Sequence, residues 1–158
     1  MEFGRFGINE IDLLVKARIL YLREDFKDAT EEQFSEIEKN LYGYFEKHIE
    51  NDLFAFGAAE NGEIISAALL LIIEKPCNPS AVTGKTGEVF SVYTRPEYRR
   101  QGIAMKVLKM LIGFAEENKL DFVNLKATQD GYPLYKKLGF TEEHSHYVPM
   151  KITFDNQV

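Results

Sequence analysis

The spacing of apolar residues predicts two helices in the first third of the chain. Over residues 10–26 apolar residues recur at helical spacing, and the charged residues between them, Arg18 among them, are expected on the solvent side. A second helix is predicted over residues 30–50, because Thr30 and Gln33 have the spacing of a capping box at its start.

Runs of apolar and β-branched residues predict the strands. Two such runs, residues 53–59 and 63–73, flank Asn61 and Gly62, a dipeptide that strongly favours a tight hairpin. We therefore expect these two strands to be antiparallel neighbours. A third run, residues 89–94, predicts another strand, and the segment before it carries no regular pattern.

A strand, a helix and a further strand follow one another in the second half of the chain. After residues 89–94 a helix opens at Gly102 and continues to about residue 118. Residues 120–127 are predicted as the next strand, parallel to the first because a crossover helix joins the two. A last helix over residues 131–138 is expected to end at Gly139, which suits a left-handed cap.

The two ends of the chain contain less certain strand patterns. Residues 140–143 and 147–153 can supply closing antiparallel strands, whereas the only candidate for a first strand, residues 2–8, is interrupted by Gly4 and Gly7. Together the elements predict an α+β fold of three layers: a mixed, mostly antiparallel central sheet with one parallel pair and helices on both faces.

Length and composition indicate a single domain over residues 1–158, since 45% of the residues are hydrophobic and no linker-like stretch divides them. The net charge of −6 argues against a nucleic-acid partner and favours a cationic small molecule. The longest apolar run, residues 64–73, is too short to cross a bilayer, so we expect a cytoplasmic protein without a membrane partner. Cys77 is the single cysteine and cannot form an internal disulfide.

The turn before the predicted helix at Gly102 has the chemistry of an anion site. The first N–H groups of a helix lack intrahelical partners, and the helix dipole adds positive charge there. Gly102 and Ala104 keep the turn small, and Arg99 and Arg100 add fixed positive charge. The expected ligand carries phosphate.

Two segments resemble one known family. Residues 99–104 resemble the Arg/Gln-x-x-Gly-x-Gly/Ala signature of the GNAT (Gcn5-related N-acetyltransferase) superfamily, and residues 135–140 resemble its Tyr-x-x-x-Gly-Phe ending. The resemblance implies that the central strand and its parallel neighbour splay apart and that the pantetheine arm of acetyl-coenzyme A lies between them. The cofactor contacts that it implies are Val92, Tyr93, Thr94, Arg99, Arg100, Gln101, Gly102, Ile103 and Ala104.

The resemblance also implies catalytic roles. Tyr135 matches the tyrosine that protonates the leaving thiolate in many family members, and Glu88 resembles a strand glutamate that serves as base in some of them. Each residue has a plainer alternative, because Tyr135 suits core packing and Glu88 suits a solvated strand edge. No metal site is expected, since His144 and His146 have no third ligand nearby in sequence.

These observations predict an N-acetyltransferase that uses acetyl-coenzyme A. The acceptor is expected to be a primary amine, on a small molecule, a lysine or a protein N-terminus, which attacks directly in a ternary complex. Aromatic residues of the second predicted helix either pack in the core or line the acceptor pocket. Two alternatives remain at this point: a non-catalytic coenzyme-A-binding sensor or interaction module, and transfer of a longer acyl group. A homodimer formed through sheet edges is also left open.

Overall fold

A five-stranded sheet is the centre of the first of two compact units, Met1–Lys126 and Ala127–Val158. The structure is a computed structural model that describes residues 1–155. The strands lie side by side in chain order: β1 (Glu2–Phe6), β2 (Leu53–Glu60), β3 (Glu63–Glu74), β4 (Lys85–Thr94) and β5 (Val123–Asn124). Neighbours from β1 to β4 are antiparallel and β4 and β5 are parallel, which confirms the predicted mixed sheet.

Helices cover both faces of this sheet, as predicted. They are α1 (Ile11–Asp25), α2 (Glu31–His48) and α3 (Ile103–Glu117). The alternation along β2 separates the two layers: Leu53 and Ala55 belong to the core under α1 and α2. The rings of Phe54 and Phe56 point the other way and meet Phe114 of α3 at centroid distances of 4.6 and 5.4 Å.

Two local predictions are confirmed in atomic detail. The N–H of Gln33 donates to the Thr30 hydroxyl at 3.1 Å, and the N–H of Thr30 donates to the Gln33 side-chain oxygen at 2.9 Å, so the capping box starts α2. Asn61 and Gly62 adopt φ angles of 53° and 77° between β2 and β3. Such positive φ angles are what a tight hairpin turn requires.

A first strand is present at the N-terminus. β1 pairs with β2 in antiparallel register, with Gly4 opposite Gly57. A Cβ on Gly57 would lie 2.3 Å from the carbonyl oxygen of Ser66 and 2.6 Å from the ring of Phe6. The glycine at this point therefore allows close packing between neighbouring strands, although glycine in a sequence weakens the expectation of a strand.

Two strand boundaries differ from the prediction. β4 already begins at Lys85, within the segment that lacks a regular sequence pattern, and β5 contains only Val123 and Asn124 instead of residues 120–127. The two strands are in register only at Gly87 with Val123 and at Glu88 with Asn124. Strand length depends on where a neighbour remains within hydrogen-bonding distance, and residue propensities do not report that.

The second unit contains α4 (Tyr132–Lys137), and the predicted helix end is confirmed because Gly139 has φ 96°. The predicted closing strands, residues 140–143 and 147–153, are wrong: within residues 138–155 the structure has no strand. Pro149 lacks an N–H donor, and the N–H of Tyr147 is taken by the hydroxyl of Ser145 at 3.1 Å, so local geometry competes with strand pairing.

Within residues 1–155, every helix is too short or too polar to span a lipid bilayer.

Candidate active site

One edge of β4 is left without a strand partner over part of its length. Beyond Glu88, β4 and β5 no longer pair, so in the described part of the chain the outer edge of residues 89–94 has no ladder. Val92, Tyr93 and Thr94 lie on this stretch and are half-buried. Apart from the carbonyl oxygen of Thr94, which accepts from Nε of Arg99, the outer backbone groups of this stretch can bind an extended ligand in the way that a sheet edge binds an added strand.

A β-bulge distorts β4 within the same stretch. The register with β3 shifts between Ala67 and Leu69, and Ser91 has φ 53°. At the end of the strand the hydroxyl groups of Ser66 and Thr94 lie 2.8 Å apart. Bulges of this kind are frequent next to active sites, because they turn backbone groups away from the regular ladder.

The turn before α3 presents backbone N–H groups to solvent. Gly102 has φ 76°, and its carbonyl oxygen accepts the first helical hydrogen bond, from the N–H of Lys106 at 3.1 Å. The N–H groups of Gly102, Ile103 and Ala104 have no acceptor among the described residues. A Cβ on Gly102 would touch nothing within 4 Å, so the space beside this glycine is accessible. The turn has the donors that a phosphate needs.

The two arginines of this turn differ in their contacts. Nη2 of Arg99 lies 2.7 Å from both carboxylate oxygens of Glu24, and its Nε donates to the carbonyl oxygen of Thr94 at 2.8 Å. Arg100 is exposed with φ 63°, and within residues 1–155 it has no ion pair. Gln101 is exposed as well and donates to the carbonyl oxygen of Glu97 at 3.2 Å.

A small pocket lies beside the bulge, on the face of the sheet that α1 covers. Its lining residues come from α1, β3 and β4: Leu14, Ala17, Arg18, Ala67, Leu69, Ser91 and Tyr93. The prediction that Arg18 points to solvent is wrong, because its guanidinium is half-buried beside the rings of Tyr21 and Phe90. The sequence carried a signal for this, since Arg18 follows Leu14 and precedes Leu22 at the spacing of the apolar face.

Glu88 lies on the same face of β4 as this pocket, two residues before Phe90. It is exposed, and in the described part of the chain its carboxylate accepts no hydrogen bond. Tyr44 of α2 faces the same region: burial raises the pKa of its hydroxyl, the charges of Asp52 and Glu88 raise that pKa further, and the charge of Arg18 opposes the rise.

A histidine that the sequence analysis did not consider lies next to Tyr44. The ring of His48 packs 4.5 Å from the ring of Tyr44, and Nδ1 of His48 lies 2.7 Å from the carboxylate of Asp52. The spacing of four residues places the two groups together at the end of α2. A histidine oriented by a carboxylate is a common proton acceptor, so His48 is a further candidate base beside Glu88.

Tyr135 belongs to the second unit, Ala127–Val158. The residue is only 9% exposed, and its ring contacts the ring of Phe140 edge-on at a centroid distance of 5.9 Å. A Cβ on Gly131 would lie 2.9 Å from the Tyr135 ring, so the start of α4 packs closely on this side chain. The Tyr135 to Phe140 segment thus forms a compact cap at the end of α4.

The other candidate ligands and nucleophiles do not form a cluster. His144, His146 and Cys77 are all exposed. Across residues 1–155, no group of three or more His, Cys, Asp or Glu side chains is arranged to hold a metal ion. The described residues therefore contain no ready metal site.

Comparison with known proteins identifies the family. A family model described as the acetyltransferase (GNAT) family matches residues 19–140, which is most of the chain. The chain belongs to this family. The match includes the open edge of β4, the turn at Gly102 and the segment that ends at Phe140. A search of proteins with curated functions finds no significant match.

Solved structures share the GNAT fold over nearly the whole chain. A predicted acetyltransferase from Clostridium acetobutylicum, crystallised with acetyl-CoA, has 29% identity and a TM-score of 0.83, covering 95% of both chains. A GCN5-related N-acetyltransferase from Ralstonia eutropha has 24% identity and a TM-score of 0.77, covering 94% of this chain and 97% of the other. A ribosomal-protein-alanine N-acetyltransferase from Brucella melitensis has 19% identity and a TM-score of 0.69, covering 96% of this chain and 100% of the other. Membership of the GNAT family supports acetyl transfer as the general activity, and the structures below 25% identity show the shared fold.

Proposed function

We propose that the protein is an N-acetyltransferase that moves acetyl from acetyl-coenzyme A to a primary amine by direct attack in a ternary complex. The observation that carries this proposal is the unpaired edge of β4 leading to the free N–H groups at Gly102. An extended ligand that ends in phosphates matches both features, and coenzyme A is such a ligand.

The cofactor site is proposed from the strand edge to the helix. Val92, Tyr93 and Thr94 offer backbone groups to the pantetheine arm. The pyrophosphate binds the backbone of the turn, from Arg100 through Gln101 and Gly102 to Ile103 and Ala104, with Arg99 beside it. Arg100 supplies the charge, since Arg99 already pairs with Glu24.

The reaction requires proton transfer both at the amine and at the leaving thiolate. An alkylammonium, with a reference pKa of about 10.4, must lose a proton before its nitrogen attacks the thioester carbonyl. We assign this proton to Glu88, directly or through water, and the backbone N–H near Tyr93 polarises the carbonyl. The C–N bond forms, the C–S bond breaks, and Tyr135 protonates the departing thiolate, whose pKa is about 8.5. The nitrogen loses its second proton to water as the amide forms, and the tyrosinate takes a proton back from water.

The experiment that tests the function is an acceptor screen. The purified protein is incubated with acetyl-coenzyme A and a panel of small amines, peptides with lysine and peptides with a free N-terminus, and free thiol is followed. We expect amine-dependent thiol release together with a mass gain of one acetyl group on the acceptor. Tight binding of acetyl-coenzyme A without release on any acceptor would favour the coenzyme-A sensor instead. Faster release from a longer acyl-coenzyme A than from acetyl-coenzyme A would favour the other acyl group.

A homodimer is a further proposal, supported by the second unit. Val148, Met150, Ile152 and Phe154 alternate with polar residues or proline, and all four are at least 67% exposed. This is the pattern of a strand with one apolar face, and a second copy of the chain would cover it. Sedimentation should show twice the monomer mass, and truncation before Tyr147 should give a monomer. A full-length monomer at micromolar concentration would refute the dimer.

A further inference from the structure

Arg18 occupies an unusual position for a charged residue. It lies on the apolar face of α1, between the buried residues Leu14 and Leu22, and is half-buried. The guanidinium carbon is 5.2 Å from the ring centroid of Tyr21 and 5.7 Å from that of Phe90. These rings compensate part of the hydration that the guanidinium loses, but the N–H donors of the guanidinium remain unused.

No carboxylate neutralises this guanidinium. In residues 1–155, Arg18 has neither an ion pair nor a hydrogen bond, whereas Arg23, Arg95 and Arg99 each bind a glutamate at 2.5–2.7 Å. Asp25, an acidic neighbour on α1, accepts a hydrogen bond from Tyr21 at 3.2 Å. Burial lowers the pKa of Arg18, and the opposing charges of Tyr21, Tyr44 and Asp25 do not offset this effect.

Arg18, which lacks a carboxylate partner, lies beside the edge of β4 where the cofactor is proposed to bind. Arg18 lines the small pocket together with Ser91, the bulge residue, and Tyr93, on the edge proposed for the cofactor. Tyr44 of α2 lies within electrostatic reach of both Arg18 and Glu88, whose charges shift the pKa of its hydroxyl in opposite directions. A partly desolvated cation without a partner, next to a proposed reaction centre, is a strong signal of ligand binding.

We propose that the acceptor amine also carries a carboxylate, and that Arg18 binds this carboxylate. The inference rests on the proposed function and deepens it by naming the substrate class. A guanidinium fork matches a carboxylate in a bidentate arrangement. One unpaired cation suits a monoanion better than a phosphate dianion, so the substrate class is an aminocarboxylate. The ammonium group of such a substrate agrees with the net charge of −6, which favours a cationic small molecule.

Matched substrates test the role of Arg18 in turnover. Each pair differs in the carboxylate: glycine and glycinamide, 4-aminobutanoate and butylamine, phenylalanine and 2-phenylethylamine. We expect wild-type kcat/KM to favour the aminocarboxylate of at least one pair by about 10- to 100-fold, as expected for hydrogen bonds to a charged group. Arg18→Met should reduce this ratio to near one, and Arg18→Lys should restore part of it.

Arg23→Met is the matched control. Arg23 lies on the same helix and also covers an aromatic ring, that of Phe34 at 4.3 Å, but it pairs with Glu31 outside the pocket. This variant should keep the wild-type ratio. Equal ratios in wild type and Arg18→Met, with wild type favouring neither member of any pair, would overturn the inference.

A binding measurement separates this inference from the proposed function. NMR of arginine side-chain Nε–Hε groups in the coenzyme-A-loaded protein should show the Arg18 signal shifting with 4-aminobutanoate, glycine or phenylalanine and not with the matched amines. An Arg18 signal that responds to none of the three aminocarboxylates would refute the carboxylate site, whatever the turnover. A specific shift without thiol release on any amine would support the site and count against N-acetyl transfer.

Discussion

Both carboxylate oxygens of Glu24 on α1 lie 2.7 Å from Nη2 of Arg99, which belongs to the turn before α3. The same guanidinium donates from Nε to the carbonyl oxygen of Thr94 at 2.8 Å. One side chain therefore connects α1, the end of β4 and the turn before α3. Because its charge is already compensated, we expect Arg99 to hold the shape of the turn and Arg100 to supply the free charge.

A double-mutant cycle tests this division of roles. Arg99→Ala and Glu24→Ala should each weaken acetyl-coenzyme A binding. The double variant should bind no worse than whichever single variant has the lower affinity, which corresponds to a coupling free energy of about 1 kcal/mol between the two residues. Arg100→Ala should weaken binding independently, so its effect adds to that of Glu24→Ala. Isothermal titration calorimetry on wild type, the three single variants and the two double variants gives the six affinities. Tighter binding by Glu24→Ala would mean instead that Glu24 competes with the phosphate for Arg99.

Gly102→Glu should weaken acetyl-coenzyme A binding by about 100-fold or more, at 1.4 kcal/mol for each factor of ten, because bulk and negative charge would enter the proposed phosphate site. Gly62→Glu is a matched control, since Gly62 has φ 77° against 76° for Gly102 and neither position has an atom within 4 Å of an added Cβ. Both variants carry the same backbone strain of about 1 kcal/mol. Unchanged affinity in folded Gly102→Glu would remove the phosphate from this turn.

Tyr135→Phe tests the proposed acid. The change keeps the ring that packs on Phe140 and removes only the hydroxyl. Cofactor affinity should hold while kcat falls by about 100-fold, the usual scale for a positioned acid. Tyr132→Phe, on the exposed side of the same helix, should keep wild-type kcat. Full kcat in Tyr135→Phe, with chemistry shown to be rate-limiting by pre-steady-state kinetics, would leave Tyr135 a packing residue.

Glu88→Gln tests the proposed base through the pH profile of kcat/KM. The loss should be greatest at low pH, where most of the amine is protonated and assistance with proton removal matters most. Glu74→Gln, at the exposed end of β3, should leave the profile intact. If Glu88→Gln also leaves it intact and His48→Gln changes it, the base is the His48–Asp52 pair.

Glu63 makes stability depend on pH. Hydrogen bonds from Lys16, and secondarily from Arg95, lower the pKa of its carboxyl group. Since this pKa is depressed in the folded state, the contribution is present above the unfolded value of about 4.3 and is lost as pH falls through the folded value. Wild type should therefore melt at a higher temperature than Glu63→Gln at pH 7, and the difference should shrink below about pH 4.

The partner that causes this effect provides its control. In a Lys16→Met background the pH-dependent part of the difference should become smaller, because the main hydrogen-bond donor to Glu63 is gone. Melting curves between pH 3 and pH 7 measure both comparisons. A difference between wild type and Glu63→Gln that stays constant over this range would show that the lowered pKa does not contribute to stability.

The sequence by itself determined the elements whose signals are local. The capping box at Thr30, the Asn61-Gly62 hairpin and the left-handed end at Gly139 each depend on a few adjacent residues, and all three are present. The turn at Gly102 belongs to the same class, because a glycine in the left-handed region at a helix start is a local requirement. These signals were sufficient for the fold class and for the family.

Only the tertiary structure decided the features that depend on distant neighbours. The point where β5 leaves β4 is a matter of which backbone remains in reach, and the pairing of Glu24 with Arg99 joins residues 75 positions apart. The sequence of a helix does not show which of its arginines will face a carboxylate from another element. The lack of a carboxylate partner for Arg18 is therefore visible only once α1 is packed on the sheet, where burial makes an unpaired charge costly.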